Sequence, residues 1–424
     1  MTAADHRPTP VRARRRVRLA AALAALLSAS PAASAGETAF VGCRIVPAAD
    51  SPLIDDGVVV IRGARIVAVG RAETVKVPAG AKRIACDGGT LLPGFWNSHV
   101  HFMAPEWLDA AHVPAARLSA QLGDMLTNRG FAHVVDTGSD LANTLAIKRR
   151  IDSGEVPGPG IITAGDALVG PNGTPFYITD AKLPELHGPA QARRIVATSI
   201  RAGAGAVKLM SVSLTREQPF PSIPEETIRA VADEAHRAGV KVLVHPTNRQ
   251  GIELAVAGGA DILLHTAPIG GPWEAAFAQR VAKAGLALVP TFQLWAFEAA
   301  KTDDRGQAQH FAEVSQQQVA AFRHAGGRIL FGTDVGYMTE FDPAEEYRQM
   351  KAAGMSARDI LASLTTNPVQ TFGAPERQGR LAPGFDADLV LVDGDPAANV
   401  EAFAAIRMTF RAGQRIDVAR SGSD

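Results

Sequence analysis

Between residues 91 and 375, eight short β-type runs are separated by longer helical patterns. The runs are Gly94–His101, Phe131–Asp136, Gly160–Ala164, Ala206–Met210, Val240–His245, Ala260–His265, Leu286–Thr291 and Arg328–Asp334. The spacing predicts helices at Ala116–Arg129, Asp140–Ser153, Pro189–Ala202, Pro224–Ala238, Arg249–Ala257, Trp273–Ala284 and Gln307–Ala325. Several of these end in glycine (Gly130, Gly239, Gly258-Gly259, Gly285, Gly326-Gly327), as left-handed helix caps favour. Eight strands alternating with helices over roughly 280 residues fit an α/β chain folded as a (β/α)₈ barrel.

The flanks read differently. Val58–Ile61 and Ile66–Val69 surround a hairpin-like turn at Arg62-Gly63-Ala64-Arg65, and a third strand fits Ala81–Cys86. Strands return at Ala387–Val392 and Ile406–Arg411. Residues 36–90 and 376–424 are therefore expected to form one small β domain from both chain ends, with the barrel at 91–375. Hydrophobic residues at 46% and charged residues at 20% exclude a disordered or collagen-like chain.

The formal net charge is zero, but the charge is unevenly placed. Residues 1–35 hold six arginines and one acid; without them 37 basic residues face 42 acidic ones, a net of −5. No basic nucleic-acid surface is expected. The same segment reads as an export signal: arginines up to Arg18, an apolar run Leu19–Ala29, then Ala33-Ser34-Ala35 as a small-x-small cleavage pattern. The apolar run is short for a bilayer span, so a membrane anchor is the weaker alternative. Arg15-Arg16 leaves general and twin-arginine export both open. The mature protein is expected to be periplasmic or secreted. Export would permit a disulfide between the two cysteines, Cys43 and Cys86, but the count alone favours two separate buried thiols.

Barrel active sites sit at the C-terminal ends of the strands, and the polar residues of this chain gather there. His99 and His101, two apart, share one face of the first run. Lys208, His245, His265 and Asp334 close or nearly close four later runs. Four imidazoles and a carboxylate exceed the three protein ligands common at one catalytic zinc, which points to two metals. An ammonium at Lys208 beside a dication is unfavourable; carboxylation by CO₂ would make it an anion able to bridge two cations. The remaining histidines, among them His236, are assigned no metal role. Asp136 is expected either to hydrogen-bond behind the ligands or to face solvent.

These residues lie in motifs that resemble the metal-dependent amidohydrolase superfamily. Leu91-Leu92-Pro93-Gly94-Phe95-Trp96-Asn97-Ser98-His99-Val100-His101 is similar to its LPGF-x-(D/N)-x-H-x-H strand. Gly332-Thr333-Asp334, Asn367-Pro368 and Gly379–Val390 match its later motifs. Lys208, with Glu234–Gly239 leading into the next run, resembles the imidazolonepropionase/prolidase-like branch. The resemblance implies a distorted TIM barrel with a β-sandwich. It also implies two divalent ions, Zn²⁺ or alternatively Mn²⁺. His99, His101 and Asp334 would hold one, His245 and His265 the other, with carboxylated Lys208 between. Asp334 is the expected proton acceptor in hydrolysis of an amide or other C–N bond. Departures at His245-Pro246-Thr247-Asn248 and in the loop Pro171–Pro175 keep the substrate from being inherited.

The substrate is expected to be a small molecule: an N-acyl amino acid, a dipeptide or a cyclic amide. The loops past the strands carry Trp107, Phe176, Tyr177, Trp273, Trp295 and Tyr337, which suggests an apolar or aromatic part. Of these, Tyr177, Trp295 and Tyr337, together with Arg216 and Arg249, are the expected substrate contacts; either arginine could take a carboxylate. No nucleic acid and no membrane is expected as partner of the mature form, and a homo-oligomer is left open. Rival readings are a phosphotriesterase or lactonase on the same ligands, and a non-catalytic structural relative. A mononuclear deaminase is disfavoured by Lys208.

Overall fold

Eight short strands of the central region pair in parallel: β1 (Phe95–Val100), β2 (Phe131–Asp136), β3 (Gly160–Thr163), β4 (Ala206–Met210), β5 (Lys241–His245), β6 (Ile262–Leu264), β7 (Ala287–Val289) and β8 (Arg328–Ile329). They form a three-stranded sheet, β1-β2-β3, and a five-stranded sheet, β8-β7-β6-β5-β4. The computed structural model describes residues 36–179, 181–217, 219–301 and 304–418, so the expected export segment lies outside the described residues. Backbone hydrogen bonds bridge the two sheets on both sides. On one side Ser98 N–H donates to the Phe331 carbonyl at 2.7 Å and His101 N–H to that of Val335 at 2.8 Å. On the other, Gly205 N–H donates to Thr163 at 2.9 Å and Leu168 N–H to Lys208 at 2.9 Å.

Alternation along the strands separates two cores. Val242 and Val244 of β5 pack with the helical residues Ile228, Val231 and Ile252, whereas Leu243 faces Trp96, Val135, Leu264 and Leu330. Each such aliphatic side chain contributes about 1.5–3 kcal/mol by leaving water. His245 follows Leu243 by two residues and so shares its face.

A separate sheet has eight strands, drawn from both chain ends. Its path runs Gln414–Arg415, Ile406–Arg411, Leu389–Val392, Thr90–Pro93, Glu37–Ile45, Ile54–Arg62, Arg65–Arg71, and Lys82–Ala85 also pairs with Glu37–Ile45. The hairpin expected at Gly63-Ala64 is present, with Arg62 opposite Arg65. The parallel pairing of Val41 with Ala85 sets Cys43 beside Cys86, and the two form a disulfide with Cα atoms 5.0 Å apart. This corrects the expectation of two separate thiols: register along the sheet, invisible in the count, brings them together.

Most expected helices are present within a few residues of their bounds, as at Pro189–Ala202, where Pro189 opens the first turn. The hydrophobic stretch Phe292–Ala300 is helical although no helix was expected there, and so are Ala344–Ala352, Ala357–Leu364 and Thr366–Phe372. The last expected strand keeps regular pairing only at Arg328–Ile329. Among the described residues, no helix is long and apolar enough to cross a membrane.

Candidate metal centre and substrate cavity

His99 and His101 reach one site because β1 is bulged. Asn97 pairs with Val134 but Val100 with Asp136, an extra residue in β1 that brings both Trp96 and His99 to the inner face. Past β8, Asp334 has φ of +66°, and its N–H donates to the His99 carbonyl at 2.9 Å. Gly332 and Gly336 permit this crossing. A Cβ at Gly332 would lie 2.3 Å from Val289, and one at Gly336 1.9 Å from the His101 carbonyl oxygen. Asp334 Oδ1 then lies 3.1 Å from His99 Nε2 and 3.0 Å from His101 Nε2.

His265 is placed by a different device. Ile262 and Leu264 face the inner core, so simple alternation would turn His265 outward. Its φ of +70° turns the backbone instead, and its ring centroid lies 4.6 Å from that of His99 and 4.7 Å from that of His245. Thr291, φ +48°, follows the same pattern. Left-handed backbone at such residues costs on the order of 1–3 kcal/mol each, and it collects here at the strand ends. Lys208, on β4, borders the same cavity and is buried.

Hydrogen bonds fix the ring tautomers. His101 Nδ1 donates to the Gly138 carbonyl at 3.0 Å. Thr291 Oγ1 donates to the Pro290 carbonyl, so it accepts from His265 Nδ1, 2.6 Å away. With Nδ1 as the donor in both rings, each Nε2 carries an acceptor lone pair, and that of His101 lies 3.4 Å from the Thr137 hydroxyl. Asp136 is buried and stands behind this arrangement. It accepts from Ser139 and Thr163 hydroxyls at 2.6 and 2.7 Å, ordering the turn that presents Gly138 to His101.

Burial pushes His99 down to about 4 and His245 down to about 3, with His265 also well below its usual value. Burial pulls Asp334 upward, but the surrounding imidazoles, His99 foremost, outweigh it and hold the carboxyl well below the carboxylate range. Burial also lowers Lys208, to about 8, against the pull of Asp334 and Asp136. Burial thus favours the neutral ring at His99, His245 and His265. Both His99 ring nitrogens and Asp334 Oδ1 are buried and without a hydrogen-bond partner. One donor atom from each of His99, His101 and Asp334 fits within 4.8 Å, a set suited to a divalent cation.

A cavity of about 660 Å³ takes in all six expected metal-site residues together with Phe176, Tyr177, Trp295 and Tyr337. Four other expected residues lie outside it. Arg249 pairs with Glu274 at 2.9 Å and lies 4.2 Å over the Phe277 ring, which holds it away from the cavity. Arg216 is exposed and does not border it. Trp107 and Trp273 are buried against Phe102 and Phe277, as core residues. His236 pairs with Asp261 at 2.8 Å, away from the site.

Sequence reasoning missed Glu346. Fully buried in the helix Ala344–Ala352, it accepts the Gln293 N–H at 3.0 Å and so caps the helix Phe292–Ala300, whose own N-cap residue Thr291 is committed to His265. That helix supplies Leu294, Trp295 and Glu298 to the cavity. No local signal marks the pairing, because the two partners are 53 residues apart.

A mixed α/β fold with its histidines and aspartate gathered at parallel strand ends defines the class. The chain belongs to the amidohydrolase family, whose model matches residues 90–416. It is a hydrolase, with a TIM-barrel-like fold implied by its structural neighbours. A solved amidohydrolase is 25% identical, with a TM-score of 0.73 over 89% of this chain and 98% of that one. A prolidase solved with N-methylphosphonate-L-proline is also 25% identical, TM-score 0.73, over 89% and 99%. The ochratoxinase of A. niger is 20% identical, TM-score 0.74, over 92% and 97%. A search of curated proteins found no match.

Proposed function

We propose that this hydrolase is an exported member of the imidazolonepropionase/prolidase-like branch. In this reading it cleaves an amide or other C–N bond of a small molecule, using two divalent ions, Zn²⁺ or Mn²⁺. One observation carries the reading: buried, partnerless acceptors on His99 and Asp334 converge beside His101. A divalent cation among these atoms would give each of them a partner at once. His99, His101 and Asp334 would hold one ion and His245 and His265 the other. Lys208 would join them as a carbamate: its neutral Nζ bonds to the carbon of CO₂ and one proton leaves to solvent.

Bound divalent ions supply Lewis acidity and lower the pKa of water towards neutrality. The rest falls to the chain. The Asp334 carboxylate takes the proton of the attacking water and passes it to the leaving nitrogen as the C–N bond breaks, giving a carboxylic acid and an amine. His101 and His265 are held in one tautomer by Gly138 and Thr291. Trp295 and Tyr337 line the cavity.

The two bridged parallel sheets fit a distorted (β/α)₈ barrel at 91–375, and residues 36–90 plus 376–424 fit a small β domain with Thr90–Pro93 as the junction, although its strands join in one eight-stranded sheet where a β-sandwich was expected. The Cys43–Cys86 disulfide supports export, since such bonds persist in oxidising compartments.

Elemental analysis of the purified chain tests the metal centre. About two ions per chain are expected, and none would overturn the reading. Carbon-13 NMR after exposure to labelled bicarbonate reads the carbamate, which Lys208→Ala should lose. Turnover of a phosphotriester or lactone, with no amide cleaved, would replace the C–N assignment.

A further inference from the structure

The cavity that holds the candidate centre carries a second message, in what its walls lack. Among the described residues that line it, Lys208 is the one cation, and its place is within the metal site. Three carboxylates line it besides Asp334: Asp140, Asp166 and Glu298, the last neutralised by the ammonium of Lys301 at 2.6 Å. A substrate carboxylate entering here would find no guanidinium on the described lining to replace its lost hydration, and two nearby carboxylates, Asp140 and Asp166, that have no ion-pair partner among the described residues.

The aromatic wall is arranged to present carbon. Trp295 Nε1 donates to Thr266 Oγ1 at 2.8 Å, and Tyr337 donates its hydroxyl to Glu298 at 2.8 Å. With their polar tips tied to protein, both rings offer apolar surface to whatever enters. Trp295 meets Phe311 edge-on at 5.7 Å, and Tyr337 meets Tyr177 at 5.6 Å. The Trp295 ring centroid is 6.5 Å from that of His265, so this surface begins beside the reacting centre. A volume of about 660 Å³ is in the range that takes a molecule of drug size.

We infer that the cavity selects uncharged amides carrying an aromatic group next to the scissile bond. It discriminates against substrates with a free carboxylate, such as dipeptides and N-acyl amino acids. The inference rests on the amide-hydrolase reading above and narrows its substrate class.

The test compares acetanilide with 4-acetamidobenzoate, which differ by one carboxylate on the ring. The full mature chain, loaded with Zn²⁺, is assayed for kcat/KM by amine release and for Kd by quenching of tryptophan fluorescence. Acetanilide should be favoured roughly tenfold or more in both. Equal or better performance by the carboxylate in either measurement overturns the inference, as does failure to bind either compound. Anilide-selective binding with cleavage of neither would sink the amide reading and leave the charge selection standing. Ile269→Arg, at an exposed lining position, supplies the missing guanidinium and should shift the ratio towards the carboxylate by about tenfold. An unchanged ratio would also count against the inference.

Discussion

The Thr291 hydroxyl oxygen lies 2.6 Å from Nδ1 of His265 and gives its own proton to the Pro290 carbonyl, so the ring can only donate to it. The contact ties the start of a cavity-wall helix to a candidate metal ligand.

Thr291→Val keeps the shape and removes that acceptor. Metal affinity should fall about 10–100-fold, as for other partners behind metal-bound histidines. Competition with a chelator of known affinity measures it. Unaltered affinity would mean that packing alone orients His265.

Asp334→Asn keeps the volume and removes the charge between His99 and His101. Turnover should be abolished and the metal content should drop. Full activity in this variant would overturn the assigned proton transfer.

Glu346 predicts a pH effect on stability. Burial raises its carboxyl to about 8, with Glu345 adding to the rise and the Phe292 and Gln293 amides opposing it. A raised folded-state pKa means that the folded chain holds this proton where the unfolded chain has released it. Its contribution is complete below the ordinary glutamate value near 4.5 and is lost as pH rises through about 8. Urea melts across that window should show stability falling with pH, with a shallower slope in Glu346→Gln. Glu346→Leu leaves the Gln293 N–H buried without its acceptor and should cost about 1–3 kcal/mol.

Removing the disulfide with Cys43→Ala and Cys86→Ala should cost about 2–4 kcal/mol, since it closes a segment of 43 residues in the unfolded chain. A thermal melt with and without reductant reads the same contribution in the unaltered protein. Coincident melts would show that the bond adds nothing.

The parallel strands were legible because their β-type runs are short, glycine-bounded and separated by helical periods, and β2 and β4 match their expected bounds. The six polar residues were legible because each ends or nearly ends such a run. How they arrive was not. Period two alone would face His265 outward, and only a left-handed backbone reverses it; β1 needs a bulge to present His99. Phe292–Ala300 hid its helix in an apolar run with no polar face to mark the period. Arg249 looked available from its place after β5, but Glu274 and Phe277 reach it from the next loop and helix. Long-range partners such as Glu346 leave no trace in local pattern.

The strand Thr90–Pro93 pairs on one side with Glu37–Ile45 and on the other with Leu389–Val392. This sets an order of events for a chain emerging from a ribosome or a translocon. The first half of the sheet can form early, but one edge of Thr90–Pro93 stays bare until residue 389 and beyond arrive. A bare edge is a template for pairing with other chains, so the final strands act as the closing step that removes an aggregation hazard.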